Sequence, residues 1–493
     1  MFQKILIANR GEIAVRIERT CREMGIPTVA LYEPADAGSL HVRLADECVL
    51  LDQRGGFIDR ERILRVARAK GADAIHPGYG FLAEDAEFID ACNAAGITFI
   101  GPPVEVVGRV RNRIAVLEQA RAAGFPTTQH SQISFGESDL NALSVEAERL
   151  GYPLVIKSCR GGRGRGERLV QTPGELERAV RRAQAEAQAV YGDRAVYLEK
   201  AIRPAHQIGV QVLADRYGTL IHLGEREGSL IQGNQKIIEE SPAPCLTPVQ
   251  RDRLLQTALD LARLFDFKNV GTVEFLVDEA GEFYFSEIKP RVGMATPLTE
   301  LVARVDLIRE QIRVAAGEPL AISQAEIALP GHAMTCHIRA EDPARNFMPS
   351  PGRLRRVRLP GGPQVRVDTF AYSGCDVPPQ YDTLIAKLAV WDRTRALCLD
   401  KMRRALDEFK LVGTATNIPL LQRTLRDPDF AQGCYTTALL SRPFEEEPSS
   451  PEQLRDLAVA SAVLFARASQ VFQPVMPDRV TRGWHRQSRR LPQ

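Results

Sequence analysis

Thr272-Val273-Glu274-Phe275-Leu276-Val277-Asp278-Glu279-Ala280-Gly281-Glu282-Phe283-Tyr284-Phe285-Ser286-Glu287 sets two acids inside apolar, strand-prone sequence. The run predicts an antiparallel hairpin turning at Asp278-Glu279-Ala280-Gly281. Pairing about that turn sets Glu274 opposite Phe285 and makes Glu274 and Glu287 diagonal neighbours on one face. Such neighbours lie about 7 to 8 Å apart at the backbone, close enough to share cations. Acids on a hairpin are ordinarily solvated. Here they are flanked by Phe275-Leu276 and Phe285-Ser286, and buried carboxylates demand a cation, so Glu274 and Glu287 are candidate metal ligands.

Upstream of the hairpin, Pro153 to Lys157 reads as a strand, followed by the loop Cys159-Arg160-Gly161-Gly162-Arg163-Gly164-Arg165-Gly166 and a strand from Glu167 to Val170. A glycine loop between two strands, without GxGxxG offsets, does not support a Rossmann dinucleotide site. A polar helix (Pro173 to Ala189) and a strand (Ala195 to Glu199) complete a small lid-like unit. Strands at Gly209 to Leu213 and Leu220 to Gly224 and a helix from Pro248 to Phe265 lead into the hairpin.

The first hundred residues alternate strand and helix. Strands are expected at Lys4 to Ala8, Thr28 to Tyr32, Ala74-Ile75 and Ile97 to Ile100, with Ile13, Ile17, Cys21 and Met24 on one helical face. That alternation predicts a doubly wound parallel sheet whose strand C-termini offer ligand-binding loops. Beyond the hairpin, Gly331 to about Pro443 mixes short strands with a helix around Ala396 to Phe409. Glu445 to Glu452 reads as a linker, Leu457 to Gln470 as a helix, and the rest as a poorly ordered tail.

At 493 residues the chain exceeds one ordinary core. Its 64 basic and 62 acidic residues nearly balance, which argues against nucleic acid as the main partner. No apolar run approaches the roughly 20 residues of a membrane helix, so no membrane partner is expected. The N-terminus enters a strand directly, leaving no room for a leader, and the nine scattered cysteines read as reduced thiols of a cytoplasmic protein.

Five segments carry a resemblance: Ile7-Ala8-Asn9-Arg10-Gly11-Glu12-Ile13-Ala14, His76-Pro77-Gly78-Tyr79-Gly80-Phe81-Leu82, Leu198-Glu199-Lys200, Gly281-Glu282-Phe283-Tyr284-Phe285 and Val377-Pro378-Pro379-Gln380-Tyr381-Asp382. In order and spacing they resemble the biotin carboxylase family, the ATP-grasp subunits of acetyl-CoA, propionyl-CoA and pyruvate carboxylases. The resemblance implies an α/β protein: an N-terminal doubly wound domain (1–112), an ATP-grasp domain (113–328) with a lid (130–203), a C-terminal α/β domain (329–444), and a linker, Ala-rich helix and tail (445–493).

The same resemblance implies site residues. Lys157 and Arg113 contact nucleotide phosphates, and Gly161, Gly162, Gly164 and Gly166 close over them. Glu199, Lys200 and Ile202 form the hinge that holds the adenine, chiefly through backbone hydrogen bonds, and Leu276 also binds the nucleotide. Glu274 and Glu287 hold one or two magnesium ions with ATP. Lys236 and Arg291 are the candidate catalytic residues, Arg291 in the segment that contacts bicarbonate. The lid positions Arg160 and Arg163, usually glycine, add charge near the triphosphate.

The chain departs from the family pattern elsewhere. Lys289 stands at an asparagine metal ligand, Gly293 at a glutamine, Ala295 at the glutamate thought to act as base, His337 at an arginine that contacts biotin, and Gly228 at a cysteine. Ile231, Asn234 and Gln207 stand where a glutamine and histidines contact nucleotide; His206 would substitute only if the strand start shifts. No Met-Lys-Met biotinylation site is present, so biotin is expected only in trans, on a separate carrier protein, with carboxyltransferase subunits as further partners. Arg19, Glu23 and Arg366 fall where the family makes homodimer contacts. Three functions are compatible with this pattern: a biotin carboxylase subunit in working order, a biotin-independent ATP-grasp carboxylate ligase, and a non-catalytic subunit of a carboxylase complex.

Overall fold

The computed structural model describes residues 1–51, 55–80, 82–136, 139–160, 168–233, 235–441 and 451–469. Met1–Pro443 and Phe444–Gln493 are two separate units. In the first, a five-stranded parallel sheet runs in the order Glu47–Leu50, Thr28–Tyr32, Ile5–Ile7, Ala74–His76, Thr98–Phe99. Ile13, Ile17 and Cys21 of the helix Gly11–Glu23 cover one face, with Met24 packed alongside. Ile63, Ala67, Phe88 and Cys92 cover the other. The doubly wound expectation holds, and the strand Glu47–Leu50 is added at the edge.

The chain order of the sheet reverses between Ile5–Ile7 and Ala74–His76, the place where open α/β sheets bind ligands. Two of the five marker segments meet there. Asn9 Nδ2 donates to the carbonyls of Pro77 and Tyr79, both at 2.7 Å. Gly78 has φ +61°, and a Cβ there would lie 2.8 Å from Asn9 Nδ2, so both the backbone and the packing require glycine.

A three-stranded antiparallel sheet, Arg168–Val170, Leu154–Ser158 and Val196–Lys200, forms the small unit. The helices Leu140–Leu150 and Leu176–Tyr191 pack on it through Leu143, Ala147, Val180 and Ala183.

The largest sheet has eight antiparallel strands, in the order Phe283–Lys289, Asn269–Val277, His206–Ala214, Leu220–Gln232, Gln235–Ser241, His332–Arg339, Leu384–Asp392, Val365–Thr369. It runs without a break across residue 329. Strand Gln235–Ser241 pairs directly with His332–Arg339, so the segments before and after residue 329 share one sheet.

The hairpin forms with a different register. Val277 pairs with Phe283, Leu276 with Tyr284 and Phe275 with Phe285; the register then shifts, and Glu274 pairs with Glu287. Ser286 is the extra residue of a β-bulge. The two acids therefore face each other directly rather than diagonally. Asp278 causes part of the difference by accepting from the Ala280 and Glu282 amides, which widens the turn by one residue.

In the second unit, the helix Pro451–Ser469 begins inside the expected linker. Proline suits a first helical turn, whose amides have no intrahelical partner. The expected tail lies outside the described residues.

Candidate active site

A cleft of about 740 Å³ opens between the reversal loops, the small sheet and the floor of the large sheet. Asn9, Gly11, Glu12 and Tyr79 wall one side, Lys157 and Glu199 another, and Glu274, Glu287 and Lys289 lie on the floor. The far face of the hairpin is apolar: Val273, Phe275, Val277, Phe283, Phe285 and Ile288 pack in one core with Leu254 and Leu261 of the helix Pro248–Leu264. Strand alternation then turns Thr272, Glu274 and Leu276 into the cleft. On the partner strand, Phe283 and Phe285 point to the core, so Glu287 would too without the bulge. The extra residue reverses the alternation and delivers Glu287 and Lys289 to the cleft.

The two acids are ringed by cations. Lys236 Nζ lies 3.0 Å from Glu274 Oε2, and Arg113 reaches Glu287 Oε2 at 2.5 Å. Lys289 Nζ lies 3.1 Å from Glu274 Oε1 and 3.3 Å from Glu287 Oε1. Burial alone would raise both carboxyls. Lys236, Lys289 and Arg226 instead hold Glu274 well below the usual range, and Arg113 and Lys289 bring Glu287 down to about 2. Both are therefore anionic oxygen donors, the type magnesium prefers. The donor set suits a divalent ion, with the Lys289 ammonium already holding one edge of each acid.

Lys157 Nζ is held 3.0 Å from Glu199 Oε1, and Tyr197 donates to Glu199 Oε2 at 3.1 Å. Lys200 turns its ammonium away, donating to the carbonyls of Gly151 and Tyr152 at 2.9 and 2.8 Å, which leaves its backbone at the cleft. Ile202 and Leu276 line the same wall. Arg291 lines the cleft and pairs with Glu84. Gly161, Gly162, Gly164, Gly166, Arg163 and Asn234 lie outside the described residues. The Arg160 guanidinium binds Asp193 at 2.8 Å and is half exposed. His206 starts the strand His206–Ala214, but its ring is bound to Glu227 at 2.6 Å; Gln207, not His206, lines the cleft.

The match to known proteins extends along the chain. Residues 1–107 match the family model "Biotin carboxylase, N-terminal domain", 112–323 "Carbamoyl-phosphate synthase L chain, ATP binding domain", and 335–442 "Biotin carboxylase C-terminal domain". A biotin carboxylase of Nostoc sp. is 43% identical over 442 residues, 89% of this chain and 98% of its own. The chain belongs to the biotin carboxylase family. Another member, a pyruvate carboxylase subunit of Methanothermobacter thermautotrophicus, is 42% identical, with 96% of each chain aligned. Among solved structures, the biotin carboxylase domain dimer of Hydrogenobacter thermophilus 2-oxoglutarate carboxylase superposes with a TM-score of 0.87 at 40% identity. That match covers 91% of this chain and 100% of that one, in a complex with MgADP, ADP and bicarbonate.

The rest of the cleft combines residues named from the sequence with Arg226, Glu239 and Arg339, which the motifs did not single out. Arg226 donates to Thr272 Oγ1 at 2.9 Å and lies 3.5 Å from Glu239. Gly293 leaves it room, since a Cβ there would come within 3.3 Å of its guanidinium. Ala295 is buried in an apolar cluster with Leu298, Val302 and Ala333. Arg339 stands two residues beyond His337 on the same strand, so it shares that face, lines the cleft and binds Asp382 at 2.9 Å. Period-two alternation in Cys336-His337-Ile338-Arg339 was the available signal for it. Arg10 lies 3.9 Å over the Tyr381 ring, which joins the first marker segment to the last across the cleft.

Proposed function

We propose that the chain is the Mg-ATP-dependent biotin carboxylase subunit of a biotin-dependent acyl-CoA or pyruvate carboxylase, acting on biotin carried by a separate protein. The observation that carries this reading is the direct opposition of Glu274 and Glu287 on the cleft floor, within reach of Lys236, Arg113 and Lys289. Magnesium held by those acids would offset triphosphate charge and orient the terminal phosphoryl group.

The chain's own residues supply the remaining roles. Lys157 and Arg113 exchange their carboxylate partners for phosphate oxygens. The backbone at Glu199 to Lys200, with Ile202 and Leu276, receives the adenine. Lys236 and Arg291 orient bicarbonate, whose oxygen attacks the γ-phosphorus as the bond to the bridging oxygen of ADP breaks. The resulting carboxyphosphate splits into carbon dioxide and phosphate. Ala295 accepts no proton, so the released phosphate takes the biotin N1 proton while N1 adds to carbon dioxide. Placement in a reducing, cytoplasmic compartment is supported by nine unpaired cysteines, and two-fold pairing by the dimer of the Hydrogenobacter relative.

Bicarbonate-dependent ATP hydrolysis, measured with and without free biotin, tests the proposal. Stimulation by biotin is the expected result. Turnover that biotin leaves unchanged and another acceptor stimulates would point to a different ligase; absence of Mg-ATP binding would point to a non-catalytic subunit.

A further inference from the structure

Each of the four carboxylate oxygens of Glu274 and Glu287 faces a protein cation. Glu274 Oε2 faces Lys236 and Glu287 Oε2 faces Arg113, at 3.0 and 2.5 Å. Both Oε1 atoms face a single atom, Lys289 Nζ, at 3.1 and 3.3 Å.

These cations differ in their freedom to leave. Lys236 belongs to the strand Gln235–Ser241 and Arg113 to the helix Arg113–Ala122, and each touches one of the two acids. An arriving triphosphate offers each of them a stronger anionic partner. Lys289 is rooted two residues beyond Glu287 on the same strand and face, and it bridges both acids. Each carboxylate that holds it gains a charge-assisted hydrogen bond. A divalent ion placed against the same Oε1 edges would meet the ammonium charge at contact distance.

We infer that Lys289 is a built-in cation that keeps the Oε1 edges. The site then takes one divalent ion, on the Oε2 edges, and takes it only together with a nucleotide that has drawn Lys236 and Arg113 away. The inference rests on the Mg-ATP reading above and deepens it.

Manganese in place of magnesium makes the count measurable by electron paramagnetic resonance on the full chain, with a non-hydrolysable ATP analogue at saturation. Wild type is expected to bind one ion per chain and Lys289→Asn two, a twofold rise. Without nucleotide, millimolar Mn²⁺ is expected to leave the melting temperature of wild type unchanged and to raise that of Lys289→Asn. Lys289→Gln is the second variant should the first not fold. Two ions in wild type, an unchanged count in the folded variant, or Mn²⁺ binding to nucleotide-free wild type each overturn the inference and leave the Mg-ATP reading standing. Failure of wild type to bind any Mn²⁺ with the analogue overturns both.

Discussion

The imidazole of His337 donates its Nδ1 proton to the carbonyl oxygen of Lys236 at 2.8 Å. A carbonyl only accepts, so this bond fixes the tautomer and leaves the Nε2 lone pair toward Glu239 Oε1, 3.7 Å away. Burial pushes the ring down to about 4 and outweighs the opposing field of Glu239.

A pH dependence of stability follows. The folded ring stays neutral while an unfolded histidine takes a proton below about 6.5. Between those two values the unfolded state binds more protons, so stability falls as pH falls. The contribution is about 2 kcal/mol between pH 6.5 and 5. His337→Asn keeps a donor for the carbonyl and has nothing to titrate there, so its denaturation midpoint should shift less than that of wild type between pH 7 and pH 5. Equal shifts would contradict the assignment.

The acceptor side of the cleft is testable by restoring the family's groups. Ala295→Glu with His337→Arg supplies a base and an arginine on a face that already carries Arg226 and Glu239. Biotin-stimulated ATP turnover should rise by about 10²-fold. No change in biotin carboxylation by the folded double variant would remove the altered-pocket account.

Gly228 makes space for the stem of Lys236. A Cβ there would lie 2.5 Å from Cδ and 2.8 Å from Cε. Gly228→Ala should therefore push the ammonium off Glu274 and lower bicarbonate-dependent turnover about tenfold, while stability changes by about 1 kcal/mol. Steady-state kinetics with thermal melts separates the two effects.

Removing a floor carboxylate should cost both activity and stability. Glu274→Gln leaves Lys236 without its nearest acid and Lys289 with only one. Mg-dependent ATP hydrolysis should fall by at least about 10²-fold. Unfolding free energy should drop by about 3 kcal/mol, since a buried ion pair that loses one partner strands the other charge. Steady-state ATP hydrolysis at varied Mg²⁺ and a denaturant series check the two outcomes.

Legibility in the sequence followed the range of the physics involved. Strands such as Ile5–Ile7 and Thr28–Tyr32 and the buried stripe Ile13, Ile17 and Cys21 were readable because burial imprints a local apolar period. Lys157, Lys236, Ile202, Leu276 and Arg291 were singled out by the resemblance to the family, and all line one cleft. The short strand Glu47–Leu50, which alternates half-buried and exposed residues, carried little apolar signal. Arg226, Glu239 and Arg339 were missed because a charged residue on a strand reads as solvent-facing until its neighbours across the sheet are known.

The amino-acid order by itself determined the family, through five marker segments in order, and the alternating α/β framework and the hairpin with its two acids, through short-range apolar periodicity. The tertiary structure decided which way those groups face. One extra residue, Ser286, reverses the alternation of its strand and turns Glu287 and Lys289 from the core to the cleft. A bulge is set by packing of Phe285 into the core on one side of it and pairing of Glu287 with Glu274 on the other, and neither partner is a neighbour in sequence.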